Sequence, residues 1–459
     1  MNTANPDPNE VPLARRLGLF DATMIVMGGI IGAGIFVNPA VVARYVHTPL
    51  FVLGAWVLGG MIALIGAFVY AELAALRPRV GGQYAYLRDA YHPIVAFLYG
   101  WTLLLVVQTG GMAGAAIIFG RYSCELFDLS ISEQVVATVA LAILTAVNCL
   151  GVRAGSNVQS ALMLIKLLAI ALLIGVGCFG PVKTSAAGVE LPADSGGFAG
   201  LARAMVPVLF AYGGWQTASF VSGEMRNPRR DLPRGLLIGV IGVIVCYVLV
   251  SYSSVRVLGV ADLARTTVPA SEVMRHAFGQ RGAQVIAAGI AISTLGFLSQ
   301  SILTAPRVYY AMARDRVFFK GVGYLDPRTR VPTVAIVLQG VCAAGIALTG
   351  KYDQILNYVV SIDVLFFGLT GASLLIFRAR LKGETSEERR LRVPGHPITT
   401  SIFVLACWAI SISTVVQFPR NAGIGVGILA AGALIYPLWR SGAHCASPPR
   451  NSSPSPDVM

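Results

Sequence analysis

The stretch Gly28-Gly29-Ile30-Ile31-Gly32-Ala33-Gly34-Ile35-Phe36 places four glycines at the centre of an apolar segment that runs from about Phe20 to Tyr45. A segment of this length can cross a bilayer as a helix, which needs about 20 apolar residues. Each glycine in a helix interior costs roughly 0.5–1 kcal/mol relative to alanine. The run therefore predicts a transmembrane helix that breaks at mid-depth, although glycines that only allow close helix packing would give the same pattern.

A break at mid-depth frees backbone N–H and C=O groups, which a membrane tolerates only where they line a cavity or are covered by protein. The second half-helix points its positive N-terminus at the break, and the first half points its negative C-terminus there. Amides of Gly32, Ala33 and Gly34 could hold a carboxylate, and carbonyls near Ile30 could hold an ammonium group. The pattern favours a site for a zwitterion.

The composition is typical of a polytopic membrane protein. The chain has 459 residues, of which 55% are hydrophobic and 12% charged, and its mean hydropathy is +0.70. The net charge of +13 does not require a nucleic acid partner, because basic residues also collect in cytoplasmic loops. The seven cysteines and five histidines show no metal-ligand spacing. We therefore expect no metal, no cofactor and no nucleic acid partner.

Apolar segments divide the chain into twelve predicted transmembrane spans. Their bounds are 20–46, 50–76, 93–122, 133–151, 157–180, 200–223, 233–257, 282–313, 332–350, 354–378, 398–417 and 421–440. A polar tail, 1–19, precedes them, and a tail rich in Pro and Ser, 441–459, is predicted to be disordered. With the N-terminus in the cytoplasm, 23 of the 35 Lys and Arg residues lie in cytoplasmic segments and 10 in outer segments. This asymmetry predicts a multi-pass protein of the plasma (inner) membrane with both termini in the cytoplasm.

The sixth span repeats the signal of the first. Leu209-Phe210-Ala211-Tyr212-Gly213-Gly214-Trp215-Gln216 again places a glycine pair about a dozen residues into an apolar helix. A repeat of five spans inverts its second copy, so we predict a first repeat at 20–180, an inverted repeat at 200–378 and two extra helices at 398–440. Two interrupted helices at matching positions of inverted halves indicate a transport site.

Four motifs resemble those of the amino acid–polyamine–organocation superfamily. GGIIGAGIF at 28–36 resembles its span-1 signature, and LFAYGGWQTASFVSGEMRNPRRDLP at 209–233 resembles the span-6 motif of its L-type amino acid transporter branch. AELAALRPRVGGQYAYL at 71–87 and APRVYYAMARD at 305–315 are also similar. The resemblance implies an all-α fold with a LeuT-type five-plus-five inverted repeat, interrupted helices 1 and 6, and amino acid transport rather than enzymatic activity.

The resemblance also assigns substrate-binding residues, all at the two breaks: Ile30, Gly32, Ala33, Gly34, Phe210, Ala211, Gly213 and Gln216. It implies that the three residues 32–34 hold the substrate carboxylate and that carbonyls of both breaks hold the amino group. Phe210 would close over the substrate from outside. Some relatives have serine where this chain has Ala33, so the backbone amides alone would hold the carboxylate here. Gln216 could shape the side-chain pocket or only bond a neighbouring helix.

Lys166 lies about ten residues into span 5, in the run ALMLIKLLAIALL. A lysine at this depth must face a partner or a cavity unless it snorkels to the surface. Similar transporters place this ammonium where sodium-coupled members of the fold bind a cation between spans 1 and 8. The charge could therefore replace the ion and tether the span-1 break, or the residue could release a proton. The sequence leaves sodium-independent exchange and proton coupling open.

Four further charges lie in or near the spans. Asp363 of span 10 and Arg307 of span 8 could pair with each other, or each could face a hydrated crevice. Glu72 and Glu224, at the inner ends of spans 2 and 6, could form an inner gate of ion pairs or remain solvated interface charges.

We predict a secondary active transporter of neutral L-amino acids that works by alternating access, with sodium-independent exchange favoured over a proton-coupled symport through Lys166. A channel or a substrate-sensing receptor on the same fold is the alternative from another class. The implied partners are an amino acid and the lipid bilayer. The loop 128–133 carries no cysteine, and Cys124 lies at the end of span 3, so we expect no disulfide-linked heavy chain. Which amino acids are carried, the direction of net flux and the oligomeric state are not evident from the sequence.

Overall fold

The computed structural model describes residues 13–180, 198–349, 352–381, 392–417 and 419–444. The predicted tails lie outside these residues up to position 12 and from position 445. The described residues form helices, turns and loops without a strand, and one isolated bridge pairs Leu17 with Met225.

The α-helices, numbered in chain order, are α1 (Leu19–Ile30), α2 (Gly34–Tyr45), α3 (Pro49–Leu76), α4 (Gln83–Ala90), α5 (Pro93–Thr102), α6 (Gln108–Phe127), α7 (Glu133–Cys149), α8 (Val152–Phe179), α9 (Phe198–Tyr212), α10 (Pro228–Arg265), α11 (Pro269–Thr304), α12 (Pro306–Arg314), α13 (Thr333–Thr349), α14 (Tyr352–Arg380), α15 (Ile398–Gln417) and α16 (Pro419–His444). Several begin on a proline, which suits the first turn because the missing N–H would have no partner there. A π-helical turn, Leu103–Val107, joins α5 to α6.

The helices have the length and composition of membrane spans. Seven helical segments of the described chain are long and apolar enough to cross a membrane, and the bent pair α1 and α2 makes eight. Shorter apolar helices, α7, α13 and the Gly423–Trp439 part of α16, lie at three other predicted spans. The prediction of an all-α, polytopic membrane protein is confirmed.

Both predicted helix breaks are present. α1 ends at Ile30 and α2 starts at Gly34, with a bend of 43° between them. α9 ends at Tyr212, and a 3₁₀ helix, Trp215–Glu224, continues the span after Gly213 and Gly214. A 3₁₀ run of this length is uncommon, because its hydrogen bonds are less well aligned than those of an α-helix.

The broken helices occupy the centre of the molecule. Every residue from Asp21 to Ile30 is buried, and so is every residue from Trp215 to Ser222. A helix that is apolar on all sides must be covered on all sides, and here α10, α8 and α11 cover α1. The helix halves beside the breaks are therefore covered by protein, whereas Gly213, Gly214 and residues 32–34 at the breaks are half-buried.

Candidate functional site

The two breaks meet at one cavity of about 170 Å³. All eight residues that the resemblance assigns to substrate binding line it: Ile30, Gly32, Ala33, Gly34, Phe210, Ala211, Gly213 and Gln216. Side chains from other helices complete the wall, among them Gln108, Phe297 and Phe367. The structure therefore brings the residues predicted from two distant parts of the chain to one place.

The two broken helices cross backbone to backbone at Gly29 and Gly214. A β carbon on Gly29 would lie 2.6 Å from the carbonyl oxygen of Gly214, and one on Gly214 would collide with the carbonyl oxygen of Gly29. Gly214 also has a φ of +105°, which L side chains rarely adopt. These two glycines fix how closely the breaks approach each other.

The backbone amides at the first break differ in whether they already have a hydrogen-bond acceptor. The amide of Gly32 already donates to the carbonyl of Ile30 at 3.0 Å. Ala33 caps α2 and Gly34 is its first residue, and amides in the first turn of a helix have no acceptor inside that helix. The donors best placed for an anion are therefore those of Ala33 and Gly34, at the positive end of α2.

Tyr247 of α10 joins the two breaks and was not predicted from the sequence. Its buried hydroxyl lies 3.0 Å from the carbonyl oxygen of Ile30 and 3.1 Å from that of Ala211. The ring packs against Trp56 and Tyr212, with centroids 5.5 and 5.0 Å apart. The carbonyl of Ile30 also accepts the amide of Gly32, whereas the carbonyl of Ala211 keeps a second lone pair that another donor could use. The sequence does not indicate this role, because a single tyrosine in an apolar span without a neighbouring motif could equally be a packing residue.

Lys166 of α8 is fully excluded from solvent. Its Nζ donates to the carbonyl of Ile31 in the first break. A β carbon on Gly296 of α11 would lie 3.3 Å from both Cε and Nζ, so α11 covers the ammonium from the other side. The lysine therefore does not snorkel but lies between the span-1 break and span 8.

Polar side chains hold the second break in shape. Gln216 Oε1 accepts the amide of Gly214 at 3.0 Å while the residue also lines the cavity. Thr217 Oγ1 donates to the carbonyl of Gly214 at 2.7 Å and accepts from Gln300 Nε2 of α11 at 2.5 Å. Gln216 therefore bonds its own break through Oε1. Thr217 and Gln300, which also line the cavity, were not predicted.

The proposed pair of Arg307 with Asp363 is wrong. Arg307 instead forms a bidentate ion pair with Glu224, at 2.9 Å from Nε and 2.8 Å from Nη2, and both side chains are fully buried. Asp363 lines the cavity, and its Oδ1 is buried without a hydrogen-bond partner in the described part of the chain. Of the two readings of Asp363, the structure supports the one that faces a cavity.

Glu72 and Glu224 both form ion pairs rather than staying solvated. Arg378 of α14 donates to Glu72 from Nε at 2.7 Å and from Nη2 at 2.6 Å, and the amide of Val393 adds a third bond at 2.7 Å. Two bidentate pairs thus fasten the same end of the molecule, because Glu72 lies near the end of α3 and Glu224 ends the 3₁₀ helix.

Comparisons with known proteins agree with this architecture. The model of the family described as "Amino acid permease" matches residues 17–438. The chain is 31% identical over 404 residues to the b(0,+)-type amino acid transporter 1 of Homo sapiens, covering 84% of this chain and 80% of that one. It is 28% identical over 429 residues to the serine/threonine exchanger SteT of Bacillus subtilis (strain 168), covering 92% and 96%. It is 29% identical over 455 residues to the large neutral amino acids transporter small subunit 2 of Homo sapiens, covering 95% and 83%.

Proposed function

The chain belongs to the amino acid permease family, and from this premise we propose that it exchanges neutral L-amino acids across the plasma membrane by alternating access. It is a transporter and not an enzyme, as its family and its relatives establish. The observation that most directly supports this proposal is that the N-terminus of α2 and the C-termini of α1 and α9 meet at a single cavity. Two relatives are named for exchange and for neutral substrates, which supports both parts of the proposal.

The proposed topology has twelve spans with both termini in the cytoplasm. Spans 1–5, residues 20–180, form one repeat and spans 6–10, residues 200–378, form its inverted copy, followed by two helices at 398–440. The matching breaks after α1 and α9 support the LeuT-type repeat. The excess of Lys and Arg in the segments assigned to the cytoplasm supports the orientation.

In the proposed binding mode the substrate carboxylate lies on the amides of Ala33 and Gly34, with Gly32 contributing only if its bond to Ile30 opens. The amino group lies among carbonyls of Ile30, Phe210, Ala211 and Gly213. Opposite partial charges at the ends of the half-helices match the two ends of a zwitterion. Phe210, of which 40% is exposed, closes the cavity from outside, and Gln216 shapes the side-chain pocket.

Lys166 takes the place of a coupling cation in this proposal. Its ammonium lies on the carbonyl of Ile31 and beside Gly296, so it can stabilise free carbonyls of the break as a bound cation would. An ammonium group supplied by the protein at this position removes the need for sodium. No disulfide-linked heavy chain is required, since the loop 128–133 has no cysteine.

Competition with modified substrates tests the zwitterion site. Purified protein should bind a neutral L-amino acid, while its methyl ester and its N-acetyl derivative should compete at least tenfold less well, because each removes one charge. Both derivatives keep the side chain and so control for contacts in the side-chain pocket. Equal competition by the parent and both derivatives would show that the breaks do not bind the carboxylate and the amino group.

One observation favours a second substrate class, amino acids with a cationic side chain. Asp363 is the only charged residue among the described residues that line the cavity, and its Oδ1 has no partner there. A buried carboxylate without a counter-charge is costly, and a substrate ammonium or guanidinium would supply one.

A further inference from the structure

Two adjoining pockets lie where α1 and α8 begin, away from the central cavity. Their volumes are about 420 and 520 Å³, and they share Arg16 and Arg153. The arginines that line one or both of them are Arg15, Arg16, Arg153, Arg226, Arg328 and Arg330. This concentration of guanidinium groups at a helix-lined recess is a feature of an anion site, since arginine binds phosphate through two parallel hydrogen bonds.

The positive charge of the recess is poorly balanced by the protein. Asp21 is the only acidic residue among the described residues that line the two pockets. Its carboxylate already accepts from Arg153, Ser156 and the amide of Gly18. The side chains of Arg16 and Arg226 have no carboxylate within ion-pair distance in the described part of the chain. They are therefore available to an external anion.

Exposed apolar side chains lie in the same recess. Phe20, 56% exposed, and Leu164 line the first pocket, and Leu150, 71% exposed, lines the second. A free phosphate would use only the arginines, whereas a phospholipid would place its headgroup on them and its acyl chains against the apolar side chains. The recess also lies at the start of two apolar helices, where headgroups are found. A ligand that contacts both the arginines and the apolar side chains must be amphiphilic.

We propose that this recess binds the headgroup phosphate of an anionic phospholipid, and that the bound lipid stabilises the closed inner end of the transporter. The amides of Arg16 and Leu17 donate to the carbonyl of Glu224 at 2.9 and 3.0 Å, and the amide of Arg226 donates to the carbonyl of Leu17 at 2.9 Å. The side chain of Glu224 in turn holds Arg307. A phosphate on Arg16 and Arg226 thus acts on two segments that are joined by backbone hydrogen bonds beside the buried ion pair of Glu224.

The test measures lipid binding directly. Binding of phosphatidylglycerol to the purified full-length protein is titrated by native mass spectrometry, with phosphatidylcholine as the neutral control lipid. We expect phosphatidylglycerol to bind preferentially and the double variant Arg16→Gln/Arg226→Gln to weaken it by roughly tenfold to thirtyfold. The control Arg203→Gln/Arg281→Gln removes the same charge from exposed arginines near the opposite ends of spans 6 and 8 and should bind as the wild type does.

Three results would overturn the proposal. The first is equal binding of phosphatidylglycerol and phosphatidylcholine, and the second is equal loss in both double variants, which would indicate a diffuse surface charge. The third is displacement of the lipid by millimolar inorganic phosphate or glycerol phosphate, which would identify a site for a soluble phosphate. The binding measurement does not depend on substrate transport, so failure of the proposed amino acid exchange leaves it valid.

The effect on the inner end has its own readout. Exchange by the wild type in phosphatidylcholine vesicles should change at least twofold when phosphatidylglycerol is added, and the variant Arg16→Gln/Arg226→Gln should not respond. An identical lipid response in the wild type and this variant would separate the recess from the transport cycle and contradict the second half of the proposal.

Discussion

At the scale of single residues, Lys166 offers the sharpest test of coupling. Its ammonium is buried on the carbonyl of Ile31, so removing it leaves that carbonyl without its donor inside the protein. An unsatisfied buried polar group costs about 1–3 kcal/mol, which corresponds to roughly a 5- to 150-fold effect on an equilibrium that needs the break intact. We expect Lys166→Ala to weaken substrate binding in this range and to slow the return of the empty carrier.

The control for Lys166→Ala is Lys166→Met, which keeps most of the side-chain volume but lacks the charge and the donor. Both variants should lose binding, measured by isothermal titration and by exchange rates. Wild-type behaviour of Lys166→Met would mean that packing against Gly296, and not the ammonium, supports the break.

Asp363 tests the choice between substrate classes. Asp363→Asn removes the one charge among the described cavity-lining residues and changes the side-chain size little. Uptake of arginine and lysine should fall by tenfold or more, because the substrate cation loses its counter-charge, while uptake of neutral amino acids should stay within about twofold. The ratio of the two kcat/KM values is the measurement. A parallel loss for both classes would assign Asp363 to the structure of span 10 rather than to selectivity.

Individual residues of the site differ in how far the sequence could reveal them. A run of glycines can be recognised in the sequence because it opposes helix formation locally. The helix break from Gly28 to Gly34 could therefore be predicted from the sequence alone. Tyr247 and Gln300 could not, since a hydroxyl or amide in an apolar span looks the same whether it faces a cavity or a neighbouring helix. The partner of Arg307 was likewise set by tertiary packing, which brings Glu224 rather than Asp363 to it.

At the scale of helices, the two broken spans leave no room for an added side chain where they cross. A β carbon on Gly29 would lie 2.6 Å from the carbonyl oxygen of Gly214, whereas one on Gly34 would meet its nearest atom, Asn38 Nδ2, at 3.4 Å. We expect Gly29→Ala to force the broken helices apart at a cost of about 1–3 kcal/mol and to abolish most substrate binding.

Gly34→Ala is the matched control, with the same added methyl group in the same broken span. It should retain at least half of the wild-type exchange, and both variants should be compared by melting temperature and by substrate binding. Similar losses at the two positions would mean that the break requires backbone freedom at every glycine, and that the crossing with Gly214 has no special weight.

At the scale of the whole molecule, eight of the twelve predicted spans match helical segments of the described chain that are long and apolar enough to cross a membrane, because a bilayer-crossing helix is encoded over about 20 residues. Their ends were less accurate: α10 continues to Arg265, beyond the predicted end at 257, and α11 begins at Pro269 rather than 282. In both regions a glycine interrupts the helix, Gly259 with a φ of +72° and Gly279 with a φ of +62°. Helical segments beyond a kink carry the polar composition of a loop, so hydropathy alone places the boundary at the kink.

Exchange in proteoliposomes tests the proposed transport cycle. In the proposed cycle Lys166 fills the cation site, so no sodium is needed. The two bidentate ion pairs are proposed to fasten the inner end, so the carrier reorients slowly unless a substrate is bound. Proteoliposomes preloaded with unlabelled amino acid should therefore take up labelled substrate at least tenfold faster than empty ones. Replacing external sodium with choline should leave the rate unchanged.

The same vesicles distinguish the alternatives. Uptake that stops without sodium would mean that Lys166 does not replace the cation. Concentrative uptake driven by an inward proton gradient, and lost in Lys166→Ala, would favour proton-coupled symport. Uptake that never saturates and does not respond to internal substrate would indicate a channel, whereas saturable binding without any flux would indicate a receptor. Saturable, sodium-independent counterflow is the outcome that we expect from the proposed roles of the two breaks and Lys166.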